Sequence, residues 1–141
     1  MDMPQAISVL YRKMILNLNM RFEPLNISCS KAMLMFSLYN RVGQTQNELC
    51  QRLDLDKSSV AKALARMEDD GLVTKRTSEK DARAFIVILT EKAEQLMPDI
   101  LCIQEKWMNE LTEEMTEIER SAFCGLMQKA VDKATLMCKD D

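Results

Sequence analysis

The chain has 141 residues, carries 19 Lys and Arg against 22 Asp and Glu for a formal charge of −3, and contains no histidine. The length bounds it to one domain with a real core. The missing imidazole excludes Ser-His-Asp and Cys-His nucleophiles as well as histidine-ligated zinc or iron. The net acidity argues against a polyanionic partner unless positive charge is gathered locally.

Residues 5–22 read as an amphipathic helix, with Ile7, Leu10, Met14, Leu18 and Phe22 on one stripe. Pro4 suits a first helical turn, and Glu23-Pro24-Leu25-Asn26 ends the element. Ser28 is placed to cap a second helix through about Tyr39, with Ala32, Met33, Phe36 and Tyr39 as its expected apolar stripe and a break near Gly43. Thr45-Gln46-Asn47-Glu48 has the capping-box form and opens a short third helix that buries Leu49 and Leu53. Asp54-Leu55-Asp56 is a tight connection, and Asp56 caps a fourth helix from Lys57 to Asp70. That helix sets Val60, Ala63, Leu64 and Met67 against Ser58, Ser59, Lys62 and Arg66, and Gly71 stands where a left-handed residue ends it.

The period then changes. Leu72–Arg76 and Ala84–Leu89 read as two strands joined by the charged link Thr77–Arg83, a β-hairpin. Thr90 caps a fifth helix whose stripe is Leu96, Ile100, Ile103 and Trp107, with Pro98 as a source of a bend. Thr112 offers a start signal for a last helix burying Ile118, Ala122, Leu126, Ala130 and Met137. The fold class expected is mainly α with a small β-hairpin wing.

The order helix, tight turn, helix, charged hairpin is that of a winged helix-turn-helix. A helix of this size fits the DNA major groove, and its first-turn residues reach base edges and phosphates. Ser58, Ser59 and Lys62 lie on the outward face, and a hairpin tip with Lys80 and Arg83 suits the adjacent minor groove.

Three stretches resemble the MarR (multiple antibiotic resistance regulator) family of winged-helix transcription regulators. Residues 56–73, DKSSVAKALARMEDDGLV, are similar to its recognition helix and first wing strand. Asp81-Ala82-Arg83 matches its D-x-R wing signature, and Leu89-Thr90-Glu91-Lys92-Ala93 is similar to its strand exit, with Ala93 where Gly is usual. The resemblance implies a homodimer built from the first and last helices, on a pseudo-palindromic operator. It also implies repression relieved by a small ligand or by oxidation, with Arg83 in the minor groove and Asp81 bracing it. Residues 29–92 would form the DNA-binding lobe; 1–28 and 93–141 would form the dimerisation region. The DNA-binding set expected is Thr45, Lys57, Ser58, Ser59, Lys62, Arg66, Lys75, Arg76, Lys80, Asp81 and Arg83. Arg66 has a second use as an intrahelical partner of Asp69 or Asp70. The main rival is a winged helix that binds a protein instead of an operator.

Other features have plainer readings. Five cysteines with no CxxC pair fit a reducing cytoplasm. No basic-then-apolar leader and no apolar run of about 20 residues is seen, so we expect a cytoplasmic chain with no membrane partner. Cys29, in a first helical turn near Lys31, is a redox-sensor candidate, although a buried inert thiol is the better reading. Twelve methionines fit adaptable core packing, with a Met-lined ligand pocket as the alternative. Glu113-Glu114 and Glu117-Glu119 sit at a helix start, where the macrodipole favours anions, so they need no catalytic role. No nucleophile or phosphate-cradling motif is present, and we expect no enzyme, no cofactor and no metal.

The charge separates by region. Residues 1–40 hold four basic and two acidic groups, residues 41–92 ten and nine, and residues 93–141 five and eleven. The acidity lies at the C-terminal end, outside the proposed DNA lobe, so it does not exclude DNA. It points to modest non-specific affinity.

Overall fold

A computed structural model describes residues 1–138. The chain divides into two compact units, Met1–Gln104 and Glu105–Asp141.

In the first unit, helix α1 spans Met3–Phe22. It starts two residues before the expected residue 5 because Asp2 and Gln5 cap each other: the Gln5 amide donates to Asp2 Oδ1 at 2.9 Å, and the Asp2 amide donates to Gln5 Oε1 at 3.2 Å. A short 3-10 turn at Glu23–Leu25 ends on Asn26 in the left-handed region. Ser28 then caps α2, Cys29–Asn40. Three short elements follow: β1 (Gln44–Thr45), α3 (Gln46–Leu53) and α4 (Lys57–Asp69). The strands β2 (Val73–Thr77) and β3 (Phe85–Leu89) follow, then α5 (Glu91–Leu111), which continues through Pro98.

The sheet has three strands in the order β1-β3-β2, both pairings antiparallel. The hairpin is as expected from the sequence, but β1 is an addition. Two residues are too few to show a period, and only their pairing with Val87 and Ile86 makes them a strand.

The core of this unit joins Leu18 and Phe22 of α1, Ala32, Leu34, Met35 and Leu38 of α2, and Leu49 of α3 to Val60, Leu64 and Met67 of α4. Val73 and Val87 of the sheet and Ala93, Met97 and Ile100 of α5 complete it. The stripe expected for α2 is corrected: of its four residues only Ala32 is buried, while Met33, Phe36 and Tyr39 are exposed. Residues 32–36 and 38–39 are all apolar. The periodicity therefore carries no phase, and the neighbouring elements choose which side is covered.

In the second unit, α6 spans Glu117–Met137. Its cap is Thr116, not Thr112. Thr116 and Glu119 form a complete capping box, whereas the third residue after Thr112 is Met115, which has no oxygen to return. The Thr112 hydroxyl instead donates to the Met108 carbonyl at 2.8 Å. The residues expected to be buried on α6 are all exposed in the single chain, with Ile118 at 83% and Leu126 at 62%. Among the described residues no helix is long and apolar enough to cross a membrane.

Candidate nucleic-acid interface

The turn between α3 and α4 is built by one unusual residue. Asp54 adopts φ +52°, a conformation that Asp tolerates better than most residues because its short side chain can bond locally. The Leu55 amide reaches back to the Cys50 carbonyl at 3.0 Å, which closes the turn. Asp56 follows as the α4 cap. Its Oδ1 accepts from the Ser59 amide at 2.8 Å, and its Oδ2 accepts from the Ser59 hydroxyl at 2.7 Å. Those two bonds, the hydroxyl first, hold the Asp56 carboxyl below the usual carboxylate range.

With Val60, Leu64 and Met67 turned inward, Lys57, Ser58, Ser59, Lys62 and Arg66 are all exposed on α4. They present two lysines, an arginine and two hydroxyls at the spacing of one outward face. The cap engages the Ser59 hydroxyl, so Ser58 is the freer of the two serines to meet a ligand. Arg66 does not take Asp70 as a partner. Lys31 of α2 reaches that carboxylate at 2.6 Å and holds it ionised. Thr45 is half-buried and its hydroxyl accepts from the Glu48 amide at 3.1 Å. Among the described residues only this hydroxyl half of the expected capping box forms.

The α4 exit leads straight into the wing. Gly71 has φ +74°, the left-handed geometry that suits a residue without Cβ. Thr90, at the other end of the hairpin, donates its hydroxyl to the Gly71 carbonyl at 2.6 Å, and the same oxygen accepts the Ala93 amide at 3.2 Å. The wing base is therefore tied to the start of α5.

The wing tip is braced from within. The Ser78 amide donates to the Ala84 carbonyl at 2.9 Å, and the Ala84 amide to the Asp81 carbonyl at 3.0 Å. Asp81 Oδ1 accepts the Arg83 amide at 3.0 Å, an Asx turn that fixes the backbone beneath the arginine. Lys80 and Arg83 are exposed on this tip. Lys75 and Arg76 are exposed on β2, but as strand neighbours they point to opposite faces. Lys75 shares the face of Val73 and Arg76 the other.

Cys29 is 1% exposed, and burial pushes its thiol up. That is opposite to the thiolate a redox sensor needs, and Lys31 is turned to Asp70. Cys50 is also buried, while Cys102, Cys124 and Cys138 are exposed.

Sequence reasoning passed over Gln44 and Arg52. Gln44 is a long polar side chain at 1% exposure, with its amide bonded to three other residues. A lone Gln after a glycine gives no periodic signal. The nearest clue was the Arg four residues after Glu48 on the short α3.

Residues 25–84 match the MarR family profile. A MarR transcriptional regulator from Methanosarcina mazei Go1 is 28% identical, with 95% of this chain and 96% of that one covered at a TM-score of 0.88. Over residues 25–84 the chain is similar to the MarR family of transcriptional regulators. The HTH-type transcriptional regulator BilQ of Clostridioides difficile is 32% identical over 73 residues, which are 52% of this chain and about half (49%) of that relative. The same fold is seen in the S. aureus MepR–DNA complex, at 18% identity and a TM-score of 0.88, covering 95% of this chain and 99% of that one. The winged helix-turn-helix expected from the sequence is the fold these structures share.

Proposed function

We propose that this chain is a MarR-type regulator that binds double-stranded DNA as a homodimer on a pseudo-palindromic operator, acts as a repressor in the cytoplasm, and is released by a small-molecule effector. It carries out no catalysis of its own; its relatives are regulators. The observation that carries the reading is the exposed set Lys57, Ser58, Lys62 and Arg66 on α4, followed by a wing whose Asx turn presents Arg83. The hydroxyls and cations of α4 suit base edges and phosphates of the major groove, and Arg83 with Lys80 suits the negative potential of a narrow minor groove. Thr45, Ser59, Lys75, Arg76 and Asp81 take supporting places. Thr45, Ser59 and Asp81 shape the backbone that meets DNA, and one of Lys75 and Arg76 reaches a phosphate at the wing base. The S. aureus relative of the same fold is seen in a DNA complex, which supports this use of the fold.

Residues 29–92 form the lobe that meets DNA in this reading, and 1–28 with 93–141 the region that pairs two copies. The buried, raised thiol of Cys29 disfavours oxidation there as the release signal.

The test is selection of duplexes from a random library on the purified chain, followed by affinity measurement. The regulator reading expects a two-fold repeated site. It also expects Arg83→Ala to weaken binding by about 10-fold to 100-fold, the loss of one good groove contact per protomer, with an unchanged melting temperature. No enriched sequence would favour the protein-binding rival. Unchanged affinity of Arg83→Ala would remove the wing from the mechanism.

A further inference from the structure

We infer that Gln44 and Arg52 are positioning residues for DNA binding: their hydrogen-bonded knot at the end of α2, buried on the Gln44 side, sets the wing against the helix-turn-helix pair. The inference rests on the DNA-binding reading above, but has a readout of its own without DNA.

The knot uses nearly all the hydrogen-bonding capacity of one amide. Gln44 Nε2 donates to the Ser37 carbonyl at 2.9 Å and to the Arg41 carbonyl at 2.9 Å. Its Oε1 accepts from Arg52 Nη1 at 2.8 Å, and the same nitrogen lies 3.4 Å from the Ser37 carbonyl. Ser37 is in the last turn of α2, where carbonyls lose their helical partners. The Gln44 side chain therefore closes the end of α2, and Arg52 brings the last turn of α3 to the same point.

The backbone of Gln44 does a second job. It belongs to β1, opposite Val87 of β3, and Thr45 beside it lies opposite Ile86 while capping α3. One residue thus reaches α2 and α3 through its side chain and the wing through its main chain. The hairpin is held at its β2 edge by chain continuity with α4, and at its β3 edge by β1. Any tilt of the wing about the first edge must move the second. The distance between Arg83 on the tip and Lys62 on α4 is then governed by the knot, although neither Gln44 nor Arg52 stands on the DNA-facing set. Gln44 is buried with its amide bonded on both sides, and removing the Arg52 partner leaves its Oε1 without that bond and loosens the joint.

Two measurements test this on the full chain. The first is amide hydrogen exchange without DNA. Arg52→Met is expected to speed exchange in β3 by about tenfold or more while α6 keeps its rate. Unchanged β3 exchange overturns the proposal whether or not the chain binds DNA. The second is a double-mutant cycle on the selected duplex, run where melting curves show every variant folded. A wing already mispositioned has less to lose, so Arg83→Ala should cost at least about threefold less in the Arg52→Met background than in the parent. Equal cost in both backgrounds, or parental affinity of Arg52→Met, contradicts the proposal. Arg52→Lys serves if Arg52→Met does not fold, and it separates the rival role of a phosphate contact. Positioning predicts weaker binding with the salt slope kept, because the lysine amine sits one bond nearer the backbone than Arg52 Nη1, which is the atom that meets both acceptors. Parental affinity of Arg52→Lys makes Arg52 a plain cation on the DNA and overturns the inference.

Discussion

Helices α4 and α6 both carry large apolar residues, and they treat them in opposite ways. On α4, Val60, Leu64 and Met67 are at most 1% exposed, and the helix packs on the chain's own α3 and β2. On α6, 21 residues long, no residue is buried, and Ile118, Leu126, Val131, Leu136 and Met137 are between 50% and 83% exposed. The first helix is finished within its chain and spends its outer face on cations and hydroxyls. The second is unfinished. An apolar row of this size left in water is costly, and a second copy with the same row is the simplest cover. In the proposed function, one helix is the working surface and the other the surface that doubles it.

The sharpest way to break this contrast is a charge on the uncovered row. Leu126→Glu is expected to convert a dimer into monomers at micromolar concentration. Each copy loses about 1.5–3 kcal/mol of leucine burial, counted twice across a two-fold axis, with a buried charge added. Light scattering after size exclusion reads the mass; an unchanged dimer would place the interface elsewhere. The opposite helix answers differently. Leu64→Ala should leave the mass alone at concentrations well above dissociation and lower stability by about 2–5 kcal/mol, measured by thermal melts. A loss below about 1 kcal/mol would mean that α4 is less firmly seated than its burial implies.

The smallest effect concerns the cap. The Asp56 carboxyl is held below its ordinary range in the folded chain, so its contribution to stability is fully present above the ordinary carboxylate pKa. That contribution fades as pH falls through the lowered folded value. Asp56→Ala should therefore melt below the parent at pH 7, with the gap narrowing toward pH 3. A gap independent of pH would assign the effect to helix propensity and not to the charge on the cap.

Local chemistry made most of the lobe readable. Ser28, Thr45, Asp56 and Thr90 each cap the helix that the sequence assigned to them, and Gly71 takes the left-handed position it was given. These signals act within three or four residues, so a single sequence carries them. Thr112 misled because the competing signal four residues later has the acid in the right place. What stayed hidden is non-local. The phase of α2 depends on which of its uniformly apolar sides meets the rest of the unit. Strand β1 exists through a partner forty residues away, and Gln44 looks like any polar residue until Ser37, Arg41 and Arg52 surround it. The exposed apolar row on α6 was read as buried because periodicity reports which side is apolar, not which molecule covers it.

A net acidic chain that binds DNA through a local cationic surface must lose affinity as salt rises. Affinity for the selected duplex, measured from about 50 to 200 mM salt, should fall with a log–log slope of about −4 or steeper, as several phosphates per dimer release their counterions. A flat slope, or no binding at micromolar protein, would mean that no such surface meets DNA.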